Sequence, residues 1–241
     1  MRIFRYDTLD STNSEAARRS DDLAHGDVIV ARQQSSGRGQ RGNTWESQPG
    51  KNLTFSVVLF PDNLSAKNSF LLSMAVSVSI VEALRETVNS RDIVIKWPND
   101  IYFNDKKIAG ILIENTVCAA TIKKSIIGIG LNVNQKAFMS DAPNPFSLCQ
   151  IVGRELPLDE ILESVVRSVV KASGLIEHTD NLVEKYHSFL WRRTGLYKWH
   201  EPDGEIFEAS IRNVDTDGRL NLVSPSGQIR RYAFKEIIAH I

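Results

Sequence analysis

Cysteine is scarce in this chain of 241 residues, and long apolar runs are missing. The two cysteines, Cys118 and Cys149, have no metal-ligand spacing and are too few for a disulfide framework. The N-terminal segment has no apolar core of signal-peptide length, and no stretch approaches the roughly 20 apolar residues of a membrane span. These absences predict a cytoplasmic protein with reduced thiols and no membrane partner.

Net charge is absent as well, since 29 basic residues balance 29 acidic ones. Neither a basic face nor a helix-turn-helix pattern is seen, so the sequence predicts no nucleic-acid partner. The Walker phosphate-binding loop, the H-E-x-x-H zinc motif and the G-x-S-x-G nucleophile motif are all missing. The five histidines are dispersed, which gives no support to a Ser-His or Cys-His catalytic pair.

One motif that is present, G-R-G-Q-R-G at 37–42, matches the G-x-G-x-x-G dinucleotide-binding pattern. That pattern binds a dinucleotide only where a strand enters the glycines and a helix leaves them. A strand is predicted at 27–33, but turn residues and a second strand at 53–60 follow the motif, which argues against NAD. Arg38 and Arg41 suit anionic oxygens, although a solvated basic loop explains them equally well.

Hydrophobic periodicity predicts an α/β chain of the α+β kind. The predicted strands are 3–7, 27–33, 53–60, 92–97, 107–116 and 121–134, and the predicted helices are 11–20, 66–90, 157–176 and 180–191. Thr12 followed by Glu15 is typical of a capping box that begins the first helix. Beyond about residue 192 the chain breaks into short strands separated by tight turns. This change predicts two domains, 1–192 and a small β domain at 193–241.

Three polar stretches interrupt these predicted strands, at 37–45, 96–110 and 128–134. Gly128 and Gly130 alternate along one strand face, a pattern that often marks the close approach of a ligand. Each stretch also has an ordinary explanation in turn chemistry, solvated strand ends or tight sheet packing. Together they bring Arg, Lys, Asn and Asp to strand ends, where α/β proteins form ligand sites.

The chain resembles the biotin protein ligases through an ordered set of motifs: D-S-T-N, Q-x-x-G-R-G-x-x-G-x-x-W-x-S, K-W-P-N-D, K-I-A-G-I-L-I-E and G-I-G-L-N-V-N. The resemblance covers residue 1 to about 190. It implies a catalytic domain like that of class II aminoacyl-tRNA synthetases, with a mixed sheet and helices on one side, followed by a small SH3-like β-barrel. Because the chain begins at the catalytic motifs, it looks like the single-function type that lacks an N-terminal DNA-binding domain.

The resemblance also implies a reaction in two steps with ATP, biotin and Mg²⁺. The biotin carboxylate attacks the α-phosphate of ATP, which gives biotinyl-5′-adenylate and pyrophosphate. A lysine of a biotin carboxyl carrier protein then attacks the acyl carbon, and AMP leaves. The resemblance leaves the oligomeric state open, with a homodimer as one option.

Residue roles follow from the same resemblance. The implied catalytic residues are Lys107, Arg38 and Asp100, the last of which is also the candidate metal ligand. The implied biotin contacts are Ser11, Thr12, Gln34, Gly37, Arg38, Gly39, Lys107 and Gly110. The implied nucleotide contacts are Arg41, Trp45, Asn99 and Asn132. Gln40 and Asn43 stand where many members of that family carry further loop arginines.

Two alternative functions remain beside the biotin ligase. A lipoate or octanoyl-protein ligase shares the fold, but it is expected to lack G-R-G-x-x-G and K-W-P-N-D. A non-catalytic biotin-binding regulator is expected to have lost the bridging lysine or the loop arginine, whereas Lys107 and Arg38 are both present.

Overall fold

The structure, a computed structural model, describes residues 1–139 and 144–240, without the side chain of Arg41. Its strands are β1 (Ile3–Leu9), β2 (Val28–Gln34), β3 (Leu53–Leu59), β4 (Ile93–Lys96), β5 (Asp100–Phe103), β6 (Lys106–Cys118), β7 (Thr121–Leu131), β8 (Tyr197–His200), β9 (Ile206–Val214), β10 (Leu220–Val223), β11 (Ile229–Tyr232) and β12 (Ile238–Ala239). Its helices are α1 (Thr12–Arg18), α2 (Phe70–Val88), α3 (Leu148–Val152), α4 (Leu158–Val170), α5 (Ala172–Leu175) and α6 (Thr179–Ser188). Short 3-10 turns lie at Gln40–Gly42, Ala66–Asn68 and Ile176–His178.

The first seven strands form one mixed sheet in the order β1-β2-β3-β7-β6-β5-β4. β1 and β2 are parallel, with α1 in the connection between them, and every other pair in this sheet is antiparallel. Side chains alternate along each strand, so Phe55 and Val57 of β3 point into the main core while Thr54 and Ser56 point the other way. The sheet therefore has one apolar face and one partly polar face.

Helices α2 and α4 cover the apolar face. Leu72 and Met74 of α2 are fully buried, and α4 adds a buried stripe that includes Val165 and Val169. On the other face, Ala16 of α1 packs into a smaller cluster with strand residues of β2, β3 and β7. The larger helices thus lie on one side, as predicted, while the short α1 lies on the polar face. Within the described residues no helix is long and apolar enough to cross a membrane.

Helix α1 begins differently from the prediction. Ser11 is its N-cap, in an extended conformation with φ of −157°, and Thr12 is already helical. The hydroxyl of Thr12 is bonded to Ser56 in the sheet, and the carboxylate of Glu15 pairs with Arg18. The predicted capping box is wrong because the polar partners of Thr12 lie across the fold rather than in its own helix.

Several elements were not predicted from periodicity. The segment between the predicted strands 92–97 and 107–116 holds β5, which pairs with β4 through a turn that contains a cis Trp97–Pro98 bond. The predicted helix 66–90 begins as a 3-10 turn capped by Ser65 and becomes α-helical only at Phe70. Short elements such as α3, β8 and β12 carry too few residues for a periodic signal.

The last five strands form a second, antiparallel sheet in the order β11-β10-β9-β8-β12. It contacts the rest of the chain at several places, among them the turn after β4 and helix α6. The indole nitrogen of Trp97 donates to the carbonyl of Gly218 at 2.9 Å, and the Trp97 ring meets the ring of Phe234 edge-on. On α6, the Nε2 atom of His187 lies 2.9 Å from the amide nitrogen of Val214 and 3.1 Å from its carbonyl oxygen. A domain boundary at residue 192 stays a prediction.

We predict that His187 makes the stability of the protein depend on pH. Burial, with a contribution from Arg193, lowers the pKa of His187 from its ordinary value of 6.5, although the Val214 carbonyl and Asp215 oppose the shift. Because the unfolded chain then binds the proton more readily, the neutral ring stabilises the fold above pH 6.5. This contribution is lost as the pH falls through the folded-state pKa.

Urea unfolding of the wild type and of His187→Gln, at pH values on either side of 6.5, checks this expectation. The difference in unfolding free energy between the two proteins should shrink on the acid side. Acidic groups elsewhere titrate equally in both proteins and cancel in the difference. A difference that stays constant with pH would rule out His187 as the titrating contact.

Candidate functional site

A row of directly paired residues crosses the polar face of the large sheet. Thr54 lies opposite Gly130, Gly130 opposite Gly110, Gly110 opposite Asp100, and Asp100 opposite Lys96. The two glycines leave the middle of the row without side chains, while a carboxylate and an ammonium group stand at its end. The row therefore forms a flat floor with a charged edge.

The indole ring of Trp45 lies on this glycine floor. A methyl group at Gly130 would overlap the indole ring, and one at Gly110 would lie 3.0 Å from Cζ3 of the same ring. Gly128, two residues earlier on β7, is covered in the same way by the amide of Asn13. These positions need glycine because other groups approach the backbone closely, as the sequence pattern suggested.

A cleft of about 770 Å³ opens above the floor. The large sheet and the glycine loop line most of it, and the small sheet adds apolar side chains that include Trp199, Phe234 and Ile238. Ten of the predicted site residues line this one cleft: Ser11, Thr12, Gln34, Arg38, Gly39, Trp45, Asn99, Asp100, Lys107 and Gly110. The fold thus brings together residues that are widely separated in the sequence.

Neutral hydrogen-bonding groups gather at one end of the cleft. The amide of Thr12 donates to Oε1 of Gln34 at 2.7 Å. Ser56 Oγ lies 2.7 Å from Thr12 Oγ1 and 2.6 Å from Asn13 Oδ1, and Ser11, Thr12, Asn13 and Ser56 are all buried. Such a pocket suits a neutral ligand head that offers both donors and acceptors. Sequence reasoning missed Asn13 and Ser56, although Asn13 stands inside the D-S-T-N motif.

Charged groups gather at the other end. Nζ of Lys107 lies 2.7 Å from Oδ1 of Asp100, and both side chains are mostly shielded from solvent. The backbone of Lys107 is bonded to the segment after β7, since its amide donates to the carbonyl of Asn144 and its carbonyl accepts from the amide of Phe146. The ammonium group is therefore held at a defined place in the cleft.

Lys96 adds a second ammonium group beside this pair. Its Nζ lies 5.1 Å from the centre of the Tyr102 ring and 5.9 Å from that of Trp191. Burial lowers the pKa of Lys96, while the charge of Asp100 opposes the shift and that of Lys107 adds to it. A cation that is desolvated against aromatic rings gains more from an approaching anion than a solvated one does.

The glycine loop folds back on itself above the cleft. The amide of Gly39 donates to the carbonyl of Asn43 at 2.7 Å, and the amide of Trp45 donates to the carbonyl of Gly37 at 3.0 Å. A 3-10 turn joins the two sides, and β3 follows without an intervening α-helix. The strand-to-helix context of a dinucleotide motif is thus not formed, as the sequence indicated.

Four of the predicted residues have weaker support from the structure as direct ligand contacts. Gly37 bounds the loop but does not line the cleft, and Asn132 lies behind it, with its amide nitrogen 3.0 Å from the carbonyl of Phe146. Asn99 does line the cleft, although its amide nitrogen is bonded to the carbonyl of Ile111 at 2.8 Å. The side chain of Arg41, a predicted nucleotide contact, lies outside the described residues.

Metal binding has limited support from the side chains. The described residues contain no group of three His, Cys, Asp or Glu side chains that could hold a metal ion. Mg²⁺ needs no such group, because one or two carboxylates together with substrate phosphates and waters commonly hold it. Asp100 fits that requirement as a single carboxylate on the edge of the cleft.

The fold and the site together define a class of protein: a mixed α/β protein with a ligand cleft, whose one end suits a neutral polar group and whose other end suits an anion. Comparison with known proteins then identifies the family. Residues 5–132 match the biotin/lipoate A/B protein ligase family, and the chain belongs to this family.

Individual relatives agree with this assignment. The chain is similar to the bifunctional ligase/repressor BirA of Escherichia coli (strain K12), with 31% identity over 235 residues, which cover 95% of this chain and 71% of that protein. It is also similar to the biotin–[acetyl-CoA-carboxylase] ligase of Paracoccus denitrificans, with 28% identity over 91% of this chain and 93% of the relative. Among solved structures, the biotin protein ligase from Aquifex aeolicus in complex with biotin and ATP superposes with a TM-score of 0.81 at 25% identity, covering 99% of this chain and 98% of the other.

We predict that Gly128→Ala destabilises the protein although its backbone conformation tolerates alanine. The added methyl group would overlap the amide of Asn13 and displace it from Ser56, at a cost of about 1–3 kcal/mol. Gly174→Ala is the matched control, because nothing lies within 4 Å of that position in α5. The free energy of unfolding of the control should rise by up to about 1 kcal/mol, because alanine favours a helix. Urea unfolding measures both, and equal effects would mean that Asn13 does not press on Gly128.

Proposed function

We propose that this protein is an ATP-dependent biotin–protein ligase, which activates biotin as biotinyl-5′-AMP and transfers it to a lysine of a biotin carboxyl carrier protein. One observation carries the proposal: a single cleft joins a neutral hydrogen-bonding pocket to the Lys107–Asp100 pair across the glycine floor. Biotin has the matching form, with a neutral ureido head, an apolar tail and a terminal carboxylate. The relatives named above support the same assignment.

The ureido head fits the neutral end of the cleft. Its carbonyl and two N–H groups would bind to Ser11, Thr12 and Gln34, whose own bonds hold the pocket in shape. The acyl tail would then pass the floor beside Gly110, along the indole ring of Trp45 that lies there. This path leads the carboxylate to Lys107.

Adenylation brings two anions together at that point. The carboxylate oxygen attacks the α-phosphorus of ATP, the bond to the β-phosphate breaks, and pyrophosphate leaves. The ammonium group of Lys107 would lie between the two anions and offset their repulsion, while the ion pair with Asp100 holds that group in place. Lys96 and Arg38 supply further positive charge along the same cleft.

Mg²⁺, when bound with ATP, neutralises phosphate charge, and Asp100 is the side chain that would hold it. For the nucleotide, Trp45 offers an aromatic face suited to stacking against the adenine ring. Asn99 lines the cleft, and its side-chain oxygen accepts no hydrogen bond from the described residues, so it remains available to the nucleotide. Asn132 and Arg41 stay predictions from the resemblance.

Transfer to the carrier completes the reaction. The amine of the carrier lysine attacks the acyl carbon of the adenylate, the acyl–phosphate bond breaks, and AMP leaves. Residues 37–45 form the cover of the cleft and would exclude water that hydrolyses the adenylate. A cytoplasmic location and an SH3-like form of the small sheet stay predictions, and a homodimer stays one option for the oligomeric state.

Intact mass spectrometry of a carrier domain tests the proposal. The protein is mixed with ATP, magnesium, biotin and the carrier, and one biotinyl group should appear on one carrier lysine. A parallel reaction with lipoate separates this function from that of a lipoate ligase. Labelling by lipoate alone would replace the proposed substrate, and binding of biotin without any transfer would favour the non-catalytic regulator.

We expect Lys107→Ala to slow adenylation by about 10²–10³-fold, since removal of one charge-stabilising group typically has this effect. Pyrophosphate release with biotin and ATP measures the step. Lys106→Ala is the matched control, because the adjacent ammonium group is exposed and lies over the ring of Phe146, 4.2 Å from its centre. The control should retain near-normal activity. Comparable losses in both variants would mean that general charge, rather than the position of Lys107, matters.

A further inference from the structure

Glu114 has no role in the reaction described so far, yet one of its oxygens joins two parts of the site. Oε2 accepts a hydrogen bond from Nδ2 of Asn13 at 2.7 Å and another from Nη2 of Arg38, also at 2.7 Å. We propose that Glu114 is a positioning residue that links the biotin pocket to the glycine loop. This inference rests on the proposed function for the identity of the ligand.

The bond to Asn13 determines how the amide of that residue is turned. Nδ2 faces Glu114 and, at 3.3 Å, the carbonyl of Leu112, so Oδ1 is directed towards Ser56. An amide has donors at one end and an acceptor at the other, and only the carboxylate distinguishes the two ends strongly. Without Glu114, the Asn13 amide loses the group that keeps its acceptor in the pocket.

The bond to Arg38 holds the loop down on the sheet. Arg38 lies in the loop and lines the cleft, and its guanidinium forms an ion pair with Glu114 that is partly open to solvent. A guanidinium keeps its charge in proteins, so a carboxylate or phosphate in the cleft would compete with Glu114 for it. Arg38 is therefore bound to Glu114 in this structure, and an anionic ligand could draw it away.

The two bonds share one oxygen, which makes the pocket and the loop respond to the same side chain. Continuous hydrogen bonds run from Arg38 through Glu114, Asn13 and Ser56 to Thr12. Two substitutions, Glu114→Gln and Glu114→Ala, separate the effect of Glu114 on the loop from its effect on the pocket. The glutamine keeps an oxygen that can accept from Asn13 but removes the charge that holds Arg38, whereas the alanine removes both.

Two measurements on the full chain test the link. Hydrogen exchange of the amides at 37–45, without any ligand, reports on the loop. Glu114→Gln should raise the exchange rate of these amides by up to about fivefold, because an exposed ion pair contributes a free energy of about that size. Calorimetric titration with biotin reports on the pocket. Glu114→Ala should weaken binding about tenfold, in line with loss of one orienting hydrogen bond, while Glu114→Gln should restore affinity to within about twofold of wild type.

Glu86→Gln on α2 is the control, because this exposed carboxylate lies on the helix that covers the opposite face of the sheet. It should leave both measurements unchanged. Loop exchange in Glu114→Gln equal to that of wild type overturns the loop half of the inference, and wild-type biotin affinity in Glu114→Ala overturns the pocket half. If the wild type itself does not bind biotin, the proposed function fails together with the pocket half, while the exchange measurement still decides the loop half.

Discussion

Gly110 of β6 lies directly opposite Gly130 of β7, and this register decides what the floor of the cleft is made of. Side chains alternate along a strand, so a slip of one residue in β6 or in β7 would turn the side chain of Ile111 or of Ile129 towards the cleft instead of a glycine. Those two isoleucines pack in the main core, and their burial opposes such a slip. Packing on the apolar face of the sheet thus fixes the register of β6 and β7. This register in turn leaves room for the ring of Trp45 over the two glycines.

Charge is arranged locally in a chain that is neutral as a whole. Lys107 is paired with Asp100 and Arg38 with Glu114, whereas Lys96 lies against aromatic rings. The ion pairs hold the two paired cations in position, and the aromatic rings lie beside the third. An entering anion therefore meets groups that are already oriented, which reduces the reorganisation that its binding requires.

The site residues within the K-W-P-N-D and K-I-A-G-I-L-I-E motifs were predictable from the sequence, because each motif is contiguous in the chain, although the strand β5 that carries Asp100 was not predicted. Lys107, Gly110 and Asp100 come from two neighbouring strands of a hairpin, and the sequence motifs predicted that they act together. The position of Arg38 was not predictable in the same way, since its partner lies 76 residues further along the chain and only the folded sheet brings the two together. Thr12 illustrates the same limit, because the local capping pattern gave the wrong partner.

The contact between Trp97 and the small sheet has a consequence for exchanging parts between related proteins. The turn that leads into Asn99 and Asp100 is tied to a loop of the other sheet by the bond from Trp97 to Gly218. A methyl group at Gly218 would meet the ring of Phe70 at 2.8 Å, so this loop packs closely against α2. A chimaera that took its last fifty or so residues from a relative would place a foreign loop against its own Asn99–Asp100 turn. The junctions between parental segments therefore have to be chosen so that Trp97 and the Gly218 loop come from the same parent.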